Sequence, residues 1–321
     1  MRAAGITEFG GAVTTLDLPQ PRTLAGDEVL IEVVAAGVGN WDDFVRAGSW
    51  NVGRQPPMAL GVEATGIISG IGNEAADLAV GHRVLLHTSP FRDQGAWADK
   101  LIAPAGAVAH KPEGVSWEVA ACFPVPALTA EQVLDALAVR HGEVVLVHGA
   151  GGVTGGLIVQ LAATKGVKVL ATAGPTSAER VRSFGAVAVF DYRDPGWPDQ
   201  ARQRAGAEGV AAAVNAARGG ATIALSVVAP RGRLATITVD PPIPERGIKV
   251  FDVYVRPDGG QLEALATLLG DGRLSLNVSG RYSLREASRA LHRVVTGGAA
   301  GALVLNLETA PAEGSDARSS Q

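Results

Sequence analysis

Residues 143–166, EVVLVHGAGGVTGGLIVQLAATKG, constrain this chain more than any other stretch. The segment opens on an apolar, β-branched run, 143–148, which reads as a buried strand. Glycines follow at once, and the glycines open a helical period over 153–164. A second apolar run, 167–172, reads as the next strand. A strand that runs straight into glycines at the start of a helix brings backbone N–H groups close to a pyrophosphate. Glycine has no Cβ to stand in the way, and the helix N-terminus adds partial positive charge. Alone, such a motif is weak, and a bland glycine-rich turn is the competing reading. Placed between clear strand and helix signals with a second strand behind it, the motif points to a dinucleotide. Its turn comprises Ala150, Gly151, Gly152, Val153, Thr154 and Gly155.

Strand and helix patterns then alternate. Helices are predicted over 177–184 and 219–228, strands over 187–190, 210–214 and 233–239, and an edge strand over 249–255. This spacing implies right-handed crossovers and a doubly wound parallel sheet in an α/β fold. Upstream, 28–38, 64–71 and 83–87 are short apolar strands punctuated by glycine, the pattern of a β-rich lobe or partial barrel. Apolar Val133, Leu134 and Leu137 share a helical face after Cys122. Helices over 262–269 and 284–295, with a short strand between them and a last strand over 302–307, close the pattern. The polar tail, 308–321, reads as disordered. At 321 residues two lobes are expected: a β-rich domain from 1–122 and 261–321, and a dinucleotide domain from 123–260.

A net charge of −4 argues against nucleic acid or an anionic membrane as partner, and no apolar run reaches the length of a membrane span. The N-terminus, MRAAGITEFGG, lacks the apolar core of a signal peptide. One cysteine, Cys122, allows neither an internal disulfide nor a four-cysteine zinc site, and the six histidines show no metal spacing. Cytoplasm is the expected home.

The second strand ends Ala171-Thr172-Ala173-Gly174 with no carboxylate to hold ribose hydroxyls. Thr176, Ser177 and Arg180 follow, which favours a 2′-phosphate and hence NADPH over NADH. Arg180 is either the phosphate's charge partner or a solvated helix residue. Tyr192 and Arg193 are further candidates for the adenosine end. Asn215, Ile237 and Thr238 follow strand ends at the edge where such sheets bind ligands, so they are candidates for the nicotinamide side.

Taken in order, EVLIEVVAAGV, Asp42, Arg46-Ala47-Gly48, Gly61-Val62-Glu63-Ala64-Thr65-Gly66, Gly81-His82-Arg83-Val84, Leu128-Thr129-Ala130 and Ala150-Gly151-Gly152-Val153-Thr154-Gly155 resemble the medium-chain dehydrogenase/reductase superfamily. The AxGxxG turn is similar to that of its zinc-independent quinone oxidoreductase (zeta-crystallin-like) and enoyl reductase branch. The resemblance implies a GroES-like catalytic domain beside a Rossmann domain, and a homodimer through 249–255. Zinc-dependent relatives carry a Cys and a His where this chain has Gly39 and Val62, and neither of these can ligate a metal. Without zinc to polarise an alcohol oxygen, the chemistry implied is hydride transfer to a conjugated acceptor, a quinone or the β-carbon of an enone or enoyl thioester. One version is reduction of an aromatic polyketide intermediate.

By the same resemblance the substrate cleft draws on the first lobe. Gly39 replaces a frequent Asn, with Asn40 next to it as a substitute; Asp42 matches; Phe44 and Trp50 stand where Tyr is common. Trp50 is either a platform for a flat acceptor or a packing residue. Thr129 either touches the nicotinamide or caps a helix, and Glu63 is taken as structural. His87 is a cleft candidate, although a lone histidine is more often structural. No residue is assigned a catalytic role. The other functions open to this fold are an NADPH-binding sensor or structural protein with little turnover, and a non-redox biosynthetic enzyme.

Overall fold

The computed structural model describes residues 1–75, 77–206, 208–297 and 299–307; the tail expected to be disordered, 308–321, lies outside them. Two compact units divide the chain. The first takes Met1–Pro124, Pro257–Ala266 and the chain from Val278 onward; the second takes Val125–Arg256 and Thr267–Asn277.

In chain order the first unit begins with β1 (Arg2–Ile6), β2 (Thr14–Asp17), β3 (Glu28–Val38), α1 (Trp41–Arg46), β4 (Met58–Ala59) and β5 (Glu63–Ile71). It continues with β6 (Arg83–His87), β7 (Lys100–Pro104), β8 (Val108–His110) and α2 (Trp117–Ala121). Next come α3 (Pro124–Leu137), β9 (Val144–His148), α4 (Val153–Thr164), β10 (Lys168–Thr172), α5 (Pro175–Ser183) and β11 (Ala186–Phe190). They are followed by α6 (Trp197–Ala205), β12 (Val210–Asn215), α7 (Ala221–Val227), β13 (Val228–Thr236) and β14 (Lys249–Asp252). The last elements are α8 (Gly259–Gly270), β15 (Val278–Ser283), α9 (Ala287–Thr296) and β16 (Ala302–Asn306).

The second unit carries a parallel sheet in the order β11-β10-β9-β12-β13-β14. Counted from β9 this is the order 3-2-1-4-5-6 of a Rossmann fold. Strands β9, β10 and β12 are buried almost throughout, as expected where helices cover both faces. One core gathers Leu146, Leu170, Ala213, Leu234 and Val227 with Trp197 and Ala201 of α6. Gln160 of α4 ties in the 267–277 segment: its amide donates to the Ser275 carbonyl (2.9 Å) and accepts the Ser275 N–H (2.8 Å).

The first unit is β-rich. Its larger sheet runs β15-β16-β3-β5-β6-β8, with β7 also paired to β3, and a small sheet orders β2-β1-β4. Ile31, Ile68, Leu85, Leu86, Leu101, Ile102 and Trp97 form its fully buried interior. The β5–β6 pairing sets Glu63 opposite His87, which brings position 62 beside the end of β6. Among the described residues no helix is long and apolar enough to cross a membrane.

Several boundaries differ from expectation. Strand β13 starts at Val228, five residues earlier than predicted, because exposed Arg231 (φ 63°) interrupts its apolar pattern. The edge strand ends at Asp252, not Val255. The helix predicted over 284–295 is a single 3₁₀ turn, Leu284–Glu286, followed by α9; a reciprocal Ser283–Glu286 cap forms the junction. Helix α6 was not anticipated, since only Trp197 and Ala201 of its nine residues are buried.

Candidate functional site

The glycine turn joins β9 to α4 as its sequence suggests. Gly149 adopts φ +89°, and a Cβ there would lie 2.8 Å from the Ala216 carbonyl carbon. Gly155, in the first turn of α4, approaches the strand end so closely that a Cβ would sit 2.3 Å from the Gly149 oxygen. Two bonds pin the turn to the end of β10: the Ala150 N–H donates to the Thr172 carbonyl and the Gly149 N–H to the Thr172 hydroxyl, both at 3.0 Å. Gly152 caps α4 in extended conformation with no side-chain acceptor. The first N–H groups of the helix, at Val153 and Thr154, have no partner within the helix, which is the basis of anion binding at such a terminus.

Around the outer side of the turn the fold assembles Gly174, Ser177, Arg180, Tyr192 and Arg193. Gly174 caps α5, and its carbonyl accepts the Ser177 N–H (3.0 Å) and hydroxyl (3.2 Å). A Cβ on Gly174 would meet the Tyr192 ring at 3.4 Å and the Arg193 guanidinium at 3.5 Å. Arg193 stacks on half-exposed Tyr192, its central carbon 5.5 Å from the ring centroid. Arg180 is not simply solvated: its guanidinium donates to the Gly151 carbonyl at 2.8 Å, so α5 clamps the turn.

At the ends of β12 and β13 lies a network whose centre the sequence did not reveal. The buried Asn215 amide donates to the hydroxyls of Thr238 (2.8 Å) and Thr236 (3.2 Å) and to the Asp240 carboxylate (3.3 Å). Both threonine hydroxyls in turn donate to Asp240, and the Ile237 N–H donates to the Asn215 carbonyl at 3.1 Å. Asn215 and Thr238 therefore brace the two strand ends. Asp240 lies just past Val239, a non-glycine residue at φ 59°, and no motif singled it out.

His148 stands beside this network. Its Nδ1 bonds the Thr172 hydroxyl (2.7 Å) and its ring stacks on Trp197 at 5.0 Å and 13°. Burial pushes its pKa down to about 4, against the opposing pull of the Asp240 carboxylate, so the ring is neutral at pH 7. Thr129 lies within α3 and donates to the Val125 carbonyl (2.6 Å) one turn earlier; it is not a helix cap.

In the first unit Asn40 precedes α1 and makes no capping bond with its side chain. Asp42 is fully buried and accepts the Gly39 N–H at 2.8 Å. Burial pushes its carboxyl up to about 8, with the Gly39 and Val62 amides pulling the other way. The carbonyl of half-buried Phe44 accepts the N–H groups of Ser49 (2.9 Å) and Trp50 (3.1 Å), which fixes the turn that carries the indole. Trp50 lies against His87, ring centroids 6.3 Å apart at 59°. His87 Nδ1 is 2.8 Å from the Val62 carbonyl. A carbonyl only accepts, so Nδ1 carries the proton and Nε2 offers a lone pair. That Nε2 has no partner, and neither do Trp41 Nε1 and Thr88 Oγ1 on the same two segments.

The sheet order and the glycine turn define a Rossmann-type α/β protein joined to a β-rich domain. Residues 25–113 match the alcohol dehydrogenase GroES-like domain family, and residues 184–305 match the zinc-binding dehydrogenase family. Human quinone oxidoreductase is 28% identical over 333 aligned positions, covering 96% of this chain and 98% of the human one. Part of erythronolide synthase EryA2 from Saccharopolyspora erythraea is 35% identical over 207 positions, which is 63% of this chain and 6% of the synthase. A solved mycobacterial structure complexed with NADPH superposes with a TM-score of 0.84 at 29% identity, over 95% of this chain and 100% of that one. The chain belongs to the medium-chain dehydrogenase/reductase superfamily and is an oxidoreductase.

A zinc ion, which one family description implies, does not fit the residues present. Gly39 has no side chain, and even a Cβ there would lie 2.0 Å from the Trp41 indole. Val62 is apolar and fully buried, while the Cys122 thiol donates to the Leu303 carbonyl. Among the described residues no three His, Cys, Asp or Glu side chains are grouped to hold a metal.

Proposed function

We propose that the protein is an NADPH-dependent, zinc-free reductase that delivers hydride to a quinone or to the β-carbon of an enone or enoyl acceptor. The glycine turn pinned to β10 is the observation that carries this reading, because the strand end, the glycine approach and the open helix terminus suit a pyrophosphate together. Ala150 to Gly155 hold the pyrophosphate, and Gly174, Ser177, Arg180, Tyr192 and Arg193 receive the adenosine end. The absence of a carboxylate at the end of β10, with two guanidinium groups near it, supports a 2′-phosphate over a free ribose. When bound, the nicotinamide supplies the hydride.

The residues of the first unit select the acceptor. Trp50 offers a flat apolar face, and Asp42 and His87, both neutral at pH 7, suit a neutral conjugated molecule. The relatives named quinone oxidoreductase support the quinone, and the synthase segment supports an enoyl intermediate of polyketide assembly. A cytoplasmic homodimer joined through the edge strand β14 belongs to the same reading.

The test follows cofactor absorbance with NADPH and NADH against a panel of quinones and enones. Turnover with NADPH preferred is expected, and replacing Trp50 with Ala raises KM for planar acceptors without unfolding the protein. No oxidation of either cofactor by any acceptor would remove the reductase reading.

A further inference from the structure

Among the described residues of the first unit, four buried polar atoms lack partners on the segments that meet at Val62: His87 Nε2, Trp41 Nε1, Asp42 Oδ1 and Thr88 Oγ1. The Val62 carbonyl accepts both the His87 Nδ1–H (2.8 Å) and the Thr88 N–H (2.7 Å). That double contact fixes the ring's tautomer and orientation. Buried polar groups are almost always satisfied, so these unpartnered atoms point to a guest. His87 is a pure acceptor here: its proton is spent on Val62, and burial keeps the ring neutral, with a pKa of about 4. The guest must therefore donate to Nε2. The Trp41 indole N–H and the Thr88 hydroxyl, also without partners, are groups that an oxygen-bearing guest satisfies. The indole of half-buried Trp50 lies against the imidazole and favours a planar ring.

We infer that His87 is the specificity residue for a hydroxyl group on the acceptor: Nε2 takes a hydrogen bond from a phenolic or enolic O–H of a flat conjugated carbonyl compound stacked on Trp50. The preferred substrates are thus hydroxylated quinones or hydroxyaryl enones, rather than unsubstituted ones. The inference deepens the reductase reading and rests on it for the acceptor's class. His87 is wholly buried, so admitting the hydroxyl requires the Trp50 ring packed against it to move aside.

The experiment uses binding, so that it stands apart from turnover. The protein is saturated with NADP⁺, which blocks hydride transfer. It is then titrated with 6-hydroxy-1,4-naphthoquinone and with its methyl ether, followed by tryptophan fluorescence. The phenol is expected to bind about tenfold tighter, the discrimination one buried hydrogen bond supplies. His87→Asn keeps an N–H toward Val62 but has no acceptor at the Nε2 position, and its ratio falls to about one. His87→Gln, which carries an acceptor that far out, keeps part of the preference. The ratio is taken within each protein, so a general loss of affinity or stability cancels. Equal affinities in the unsubstituted protein, or a ratio that survives in His87→Asn, overturn the inference. Discrimination without turnover on any acceptor leaves it standing and removes the reductase reading; turnover without discrimination does the reverse.

Discussion

Gly152 and Gly155 are both glycines of the dinucleotide turn, but the fold needs them for different reasons, and substitution separates the two. Gly152 sits at φ −78°, ψ 170°, a conformation open to any residue, and a Cβ there would meet nothing nearer than 3.6 Å. Alanine at this cap position costs up to about 1 kcal/mol, offset by about 0.4–1 kcal/mol of lost freedom in the unfolded chain. The melting temperature of Gly152→Ala therefore stays within about 2–4 °C of the parent. If the exposed turn cradles a pyrophosphate, the added methyl displaces at least one N–H bond to a charged oxygen. Such a bond contributes about 1.5–3 kcal/mol, so NADPH affinity falls by about 10- to 100-fold. Gly155→Ala differs, because its Cβ would lie 2.3 Å from the Gly149 oxygen and 2.9 Å from the Ala150 Cα. Backbone must shift to admit it, at a cost of about 1–3 kcal/mol, so stability and affinity fall together. Calorimetric titration with NADPH and thermal melts on both variants check the pair. Gly152→Ala binding as tightly as the parent would refute the reasoning that the turn meets the cofactor there.

Asp42, His87 and His148 make stability depend on pH in two windows. Both histidines have folded pKa values of about 4 against an ordinary 6.5, so the unfolded chain takes up two more protons and stability rises with pH between them. Asp42 acts oppositely: its folded pKa of about 8 lies above an ordinary 3.8, so its contribution is fully present at low pH and lost as pH rises. Together they place the maximum near pH 6.5, with a decline of about 1 kcal/mol toward pH 8, the slope staying below the one-proton limit of about 1.4 kcal/mol per pH unit. Asp42→Asn flattens that decline in urea melts; a slope that persists rejects the assignment. Thr172→Val keeps the side chain's shape but strips the hydroxyl that holds the Gly149 N–H and the His148 ring. A loss of about 2–4 kcal/mol is expected, with weaker NADPH binding, and unfolding at the parent's urea midpoint would count against it.

What the sequence discloses and what it hides follow from the range of the interactions involved. The sheet was legible because β9, β10 and β12 are buried on both faces and read as unbroken apolar runs. The glycine turn was legible because its strand, glycine and helix signals follow one another directly in the sequence, within residues 143–164. Arg180 could be placed near the turn from its helix, yet its bond to the Gly151 carbonyl depends on how α5 packs, which spacing alone does not give. Helix α6 escaped because two buried residues make too short an apolar stripe. Asp240 escaped for a stronger reason: its partners Asn215, Thr236 and Thr238 come together only when β12 and β13 pair in register.

Position 62 shows how a local departure from a family pattern has non-local consequences. Read by itself, Val62 says only that a ligating side chain is missing. In the fold, the Val62 peptide is what holds this region together, since its carbonyl accepts from His87 and from Thr88. An apolar side chain there leaves Asp42 and His87 without a cation to stabilise charge, and burial drives both to their neutral forms at pH 7. Neutral, buried groups with unspent hydrogen-bonding capacity discriminate by donor and acceptor pattern rather than by charge, because a guest that fails to match them leaves them unpaired. Under the proposed function, the side chains around Val62 thus form a recognition surface for a neutral, oxygen-bearing conjugated acceptor rather than a support for a metal.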